Sequence, residues 1–117
     1  MRAGVRERAM PTKPAIARIW RGRTVRELAD AYETYLRREG IPPLEKTALG
    51  VQLFREDRDN ETWFTTISYW PDMAAMTAFT KGEPSKVHHL DRDTEFLIEL
   101  PTRVEIHQIL IDKLGLR

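Results

Sequence analysis

The chain has no cysteine, which removes disulfide stapling, thiolate metal ligation and cysteine nucleophiles and leaves packing as the source of stability. It has almost no net charge: 19 Lys and Arg stand against 18 Asp and Glu. No long-range field therefore draws nucleic acid or an anionic membrane surface to it, and neither partner is expected. Long apolar runs are missing as well. None approaches the roughly 20 residues that span a bilayer, and the N-terminus lacks the apolar stretch of about 7 to 15 residues that marks a signal peptide. A cytoplasmic protein is the expectation. Asparagine is nearly absent, Asn60 being the sole one.

What is present suits one small domain, because 117 residues can bury a single core. Residues 1–14 carry Arg2, Arg6, Arg8 and Lys13 against Glu7, with Pro11 and Pro14 and no apolar periodicity. They are expected to form a disordered basic tail, with Met10 as an alternative start. Residues 15–110 form the domain, and residues 111–117 a C-terminal tail or partner-exchanging arm.

Ala15 to Arg21 alternates as a first strand with apolar bulk on both faces. Thr24-Val25-Arg26-Glu27 has the form of a capping box, so a helix is predicted from there, with Val25, Leu28, Ala29, Tyr32, Tyr35 and Leu36 as its buried stripe and Gly40 as its C′ residue. Pro42-Pro43 is expected to force extended backbone. Leu49 to Glu56 and Glu61 to Trp70 then read as a hairpin around the polar turn Asp57-Arg58-Asp59-Asn60. Pro71-Asp72 caps a second helix, on which Met73, Met76 and Phe79 make a packing face or a deformable ligand wall. Pro84 suits the first turn of a short helix through His88, His89 and Leu90, Asp91 to Leu100 continues loosely helical, and Thr102 to Leu110 is a fourth strand.

The order β-α-β-β-α-β predicts an α+β fold, a ferredoxin-like sandwich with a four-stranded antiparallel sheet and its helices on one face. The other face would be bare although the strands are apolar at both parities. A second copy is the simplest cover, so a homodimer is expected.

Ala17-Arg18-Ile19-Trp20-Arg21-Gly22, Ala31-Tyr32-Glu33-Thr34-Tyr35-Leu36, Ser68-Tyr69-Trp70 followed by Ala74-Ala75-Met76 and Ala78-Phe79, and Asp93-Thr94-Glu95-Phe96-Leu97 together resemble the antibiotic biosynthesis monooxygenase-like group of dimeric α+β barrel proteins. The resemblance implies two sheets closed face to face, with a separate pocket between each sheet and its own helices. It also implies a choice of activities: cofactor-independent oxygenation of aromatic substrates, haem degradation, isomerisation or none. In the haem-degrading relatives a helix Trp is followed ten positions later by the iron-ligating His. Those positions are Phe79 and His89 here, and the accompanying strand-one Asn is missing.

The leading expectation is a pocket for a small apolar or aromatic molecule, with cofactor-independent monooxygenase chemistry. Arg18 would pair with a phenolate or enolate, His89 would move the proton, and Trp20, Ser68, Trp70 and Phe79 would bind the ligand. The alternative is a non-catalytic ligand-binding or structural dimer, with haem degradation a weaker third. No metal site is expected, because His88 and His89 point about 100° apart on a helix. Ser85, His89 and Asp93 at i, i+4 and i+8 lack the strained turn and oxyanion hole of a nucleophilic triad. Arg18, Trp20, Ser68 and Trp70 share one sheet face, and periodicity alone leaves open whether that face meets the helices or a partner.

Overall fold

The computed structural model describes residues 13–114; the expectations for residues 1–12 and 115–117 lie outside them. Strands β1 (Ile16–Val25), β2 (Gly50–Asp57), β3 (Glu61–Trp70) and β4 (Glu105–Gln108) form one antiparallel sheet in the order β2-β3-β1-β4. This is the ferredoxin-like sandwich. Alternation sets its two faces: along β3 the even-numbered residues are buried and the odd-numbered ones half-exposed. No helix among the described residues is long and apolar enough to cross a membrane.

The helical layer departs from the sequence expectation at its start. Thr24 caps nothing, because the ladder between β1 and β3 continues to Val25 opposite Glu61 and holds it in extended backbone. Its hydroxyl is buried and has no hydrogen-bond partner among the described residues. A single 3-10 turn (Arg26–Leu28) leads into α1 (Ala29–Tyr35), which buries Ala29 and Tyr32 while Val25 stays exposed.

Gly40 and the two prolines act in the opposite sense to that expected. The chain stays helical through Leu36–Gly40 as a wide π turn, closed by the Ile41 N–H donating to the Leu36 carbonyl, and continues as α2 (Ile41–Thr47). Pro42 and Pro43 occupy the first turn of α2, where a missing N–H costs least. Because neither can donate back into the preceding turn, the ladder is interrupted there, and the wide turn takes up the break.

Asp72 caps α3 (Met73–Thr80) as expected, accepting from the Ala75 N–H at 2.8 Å. The helix ends where Lys81 turns left-handed with φ 58° and Gly82 follows at φ 101°. Met76 is sealed and Phe79 packs inward, whereas Met73 is exposed. The short helix expected through His89 does not form. Residues 83–92 are irregular, and α4 is one turn, Asp93–Phe96. Leu97 then bridges to Thr24, and Ile98 N–H donates to the Arg23 carbonyl at 2.9 Å before β4.

The core under the helices has two halves. Ala29, Tyr32, Leu36, Phe64, Phe96 and Leu97 form one, and Ile16, Leu44, Trp70 and Met76 the other. In the first, Tyr32 meets Phe64 edge-on at 5.4 Å and Phe96 at 5.2 Å.

Candidate functional site

Tertiary packing answers the question that periodicity leaves open. Arg18 stands opposite Ser68 and Trp20 opposite Thr66 across β1 and β3, and all four lie on the helix-covered face. Between the two halves of the core these residues floor a cavity of about 230 Å³. Leu36 and Gly40 of the π turn wall it, together with Ile41, Pro43 and Leu44 of α2. The interruption caused by the prolines therefore shapes the site. Phe79 of α3 closes one side, and the irregular segment brings His88 and Leu90 across the top.

Arg18 is only 8% exposed. Its Nε donates to the Pro84 carbonyl at 3.1 Å and its Nη2 to the Lys86 carbonyl at 2.9 Å. Both acceptors are neutral, and burial alone lowers its pKa. A guanidinium remains charged even so, and a buried charge without a counter-charge is costly unless something else supplies one.

Asp93 lies elsewhere in the same lining, 2% exposed. Tyr32 donates its hydroxyl to Asp93 Oδ1 at 2.9 Å, and the Leu90 N–H donates to Oδ2 at 2.9 Å. Burial first, and then the negative charge of Asp93, push the Tyr32 pKa up, so its phenol stays protonated and donating. Tyr35 accepts from the Arg92 N–H at 2.9 Å, and Val104 N–H donates to the Ser85 carbonyl at 3.1 Å. The segment crossing the cavity thus has no regular ladder of its own and is pinned by side chains of β1, α1 and α4.

Of the residues singled out from sequence, Arg18, Trp20, Ser68 and Phe79 line the cavity. Trp70 lies beneath it, sealed, donating Nε1 to Ser68 Oγ at 2.9 Å and packing on Phe79 at 5.2 Å. His89 is exposed and outside the lining; its neighbour His88 reaches the cavity. Asp93 is taken by Tyr32 and Leu90 and not by His89. Ser85, His89 and Asp93 do not share a helix. A haem does not fit these residues: the His at the ligand position faces solvent, and the cavity is below the roughly 300–1,000 Å³ of sites for drug-sized ligands. Among the described residues no group of three His, Asp or Glu gathers as a metal site.

Sequence reasoning missed Tyr32, Thr66, His88, Asp93 and the π turn. Thr66 was legible, since it shares parity with Ser68 and Trp70. Asp93 carried a fainter signal: an acid set between Leu90 and the apolar Phe96-Leu97 pair is poorly placed for solvent.

No family model and no curated protein matches the chain. Among solved structures it is similar to the crystal structure of PA3566 from Pseudomonas aeruginosa, with a TM-score of 0.54 and 21% identity over 84% of this chain and 94% of that one. At this identity the likeness concerns the fold.

Proposed function

We propose that this protein is a homodimeric α+β barrel of the antibiotic biosynthesis monooxygenase-like group, and that each protomer binds a small, mostly apolar or aromatic molecule in the Arg18 cavity. The observation that carries this reading is the gap itself. A chain that only packed would close the space between the two halves of its core, since unfilled volume costs stability. Here the space is kept, walled by aromatic and aliphatic side chains and floored by a buried guanidinium. Its volume suits a molecule of one or two rings.

The dimer is supported by the open sheet face. Ile19, Phe54, Ile67 and Tyr69 crowd there without cover from this chain's helices. A cytoplasmic setting belongs to the same proposal, in keeping with a cysteine-free composition.

Arg18 also favours a catalytic version. A cation in a water-poor cavity lowers the pKa of a bound phenol or enol. In a ligand whose anion is delocalised onto a CH2-derived carbon, that carbon would supply the electrons to dioxygen without a cofactor: one oxygen atom would replace its two hydrogens as a carbonyl and the other would leave as water, the ionised proton ending in that water.

Native mass spectrometry of protein taken directly from cells tests the binding, and an oxygen electrode with the recovered ligand tests the chemistry. The expected result is twice the chain mass with one small aromatic molecule per protomer. Binding without oxygen uptake would assign a non-catalytic ligand-binding protein. No retained ligand, together with no binding of aromatic probes at millimolar concentration, would overturn the pocket.

A further inference from the structure

Charge is unevenly distributed in the cavity. Arg18 commits Nε and Nη2 to the Pro84 and Lys86 carbonyls, while its Nη1 has no protein partner among the described residues and is not sealed off. The side chain is thus more than nine-tenths buried and still has N–H groups to give. A guanidinium in that state is half of a forked ion pair, and a planar carboxylate is the group its geometry matches.

The buried acid of the lining, Asp93, does not supply that partner. Both oxygens of Asp93 are engaged, one by Tyr32 and one by Leu90. Its place in the fold is also different. Arg18 stands on the Ser68 row of the sheet, whereas Tyr32 packs on Phe64, four residues away along β3 and so about 13 Å down the strand. Exposed Glu39 adds a second acid at the rim.

One wall of the cavity is flat and fixed. Trp20 folds back over Gly22, with indole carbons 2.6 and 2.8 Å from where a Cβ on Gly22 would stand, so only glycine lets the ring lie there. Phe79 faces the same space.

From this arrangement we infer that the ligand is a small aromatic monoanion, an arene carboxylate or its equivalent, with its charge on Arg18 and its ring against Trp20 and Phe79. The inference rests on the pocket proposed above and narrows its ligand class. A neutral ligand, even one whose carbonyl accepts from Arg18, leaves the buried charge without a counter-charge. A dianion, such as a phosphate ester, brings a second charge that Arg18 does not compensate and that Asp93 and Glu39 repel.

Isothermal titration of the full chain with 2-naphthoate, 2-naphthamide and 2-naphthyl phosphate at pH 7.5 tests this. The acid is expected to bind, and the amide and the phosphate each to bind at least about tenfold more weakly. In Arg18→Met the acid and the amide should bind alike. Should that variant fail to fold, because Arg18 also pins Pro84 and Lys86, the three-way comparison on the native chain decides. Amide binding as tight as the acid, or phosphate binding tighter, would overturn the monoanion and leave the aromatic pocket standing. No binding of any of the three at millimolar concentration would overturn both.

Discussion

Neighbouring residues of β3 live in different surroundings. Thr62, Phe64, Thr66, Ser68 and Trp70 are buried beneath the helices, while Trp63, Thr65, Ile67 and Tyr69 between them are half-exposed on the open face. Each face is rich in apolar and aromatic groups, so composition does not separate them. The difference lies in what covers them. On the covered face the helices and the segment after α3 supply partners for hydroxyls and charges alike, and the Arg18 cavity is left between the two halves of the core. On the open face, Trp63 lies against Arg23 and Arg58, whose guanidinium carbons are 5.7 and 5.0 Å from its ring. Stability therefore resides on one face, and association, under the proposed dimer, on the other.

The sharpest way to break this comparison is a pair of substitutions on the same strand. Phe64→Ala empties a sealed position between Tyr32 and Arg55 and is expected to lower unfolding free energy by about 3–5 kcal/mol in urea denaturation. Ile67→Glu, three residues further on, is expected to halve the sedimenting mass while the far-ultraviolet circular dichroism of the fold persists, because a charge on the open face opposes association without disturbing the covered core. A monomeric native protein, or a folded dimer in Ile67→Glu, would refute the division of labour between the faces.

A smaller effect is expected from Asp93→Asn. An amide offers one oxygen where the carboxylate offers two, so either the Tyr32 hydroxyl or the Leu90 N–H loses its acceptor. The expected loss is about 1–3 kcal/mol in urea denaturation, the cost of an unsatisfied buried group. Unchanged stability would show that the pair does not pin the segment over the cavity.

The smallest effect has the opposite sign. Thr24 is sealed with its hydroxyl unpartnered among the described residues, so Thr24→Val, nearly equal in shape, is expected to raise stability by about 1 kcal/mol or less. A destabilised variant would mean that the hydroxyl does have a partner.

Much of the fold was legible in the chain. Period-two alternation located β3 to the residue and β2 to within one, and the Asp72 cap located α3, because these signals are local and nothing in the tertiary structure opposes them. Errors gathered where a local signal met a stronger distant one. Thr24 and Glu27 spell a capping box, but the ladder from β3 runs through Val25 and keeps Thr24 extended. Pro42-Pro43 spells a break, yet the preceding helix carries on into them and absorbs the missing N–H groups in a π turn. Pro84 spells the first turn of a helix through His88 and His89, but the segment stays irregular and side chains of other elements hold it instead.

The candidate site divides along the same line. Residue chemistry and strand parity by themselves put Arg18, Trp20 and Ser68 on one face and named Phe79, because alternation is a property of the chain. Which face the helices cover, that Arg18 is spent on carbonyls and not on an acid, and that His88 and not His89 reaches the cavity were decided only by tertiary structure. Those outcomes depend on how segments far apart in sequence pack against one another. Arg18 lies 66 and 68 positions from its acceptors and Tyr32 61 from Asp93, separations at which no periodicity or local propensity carries information.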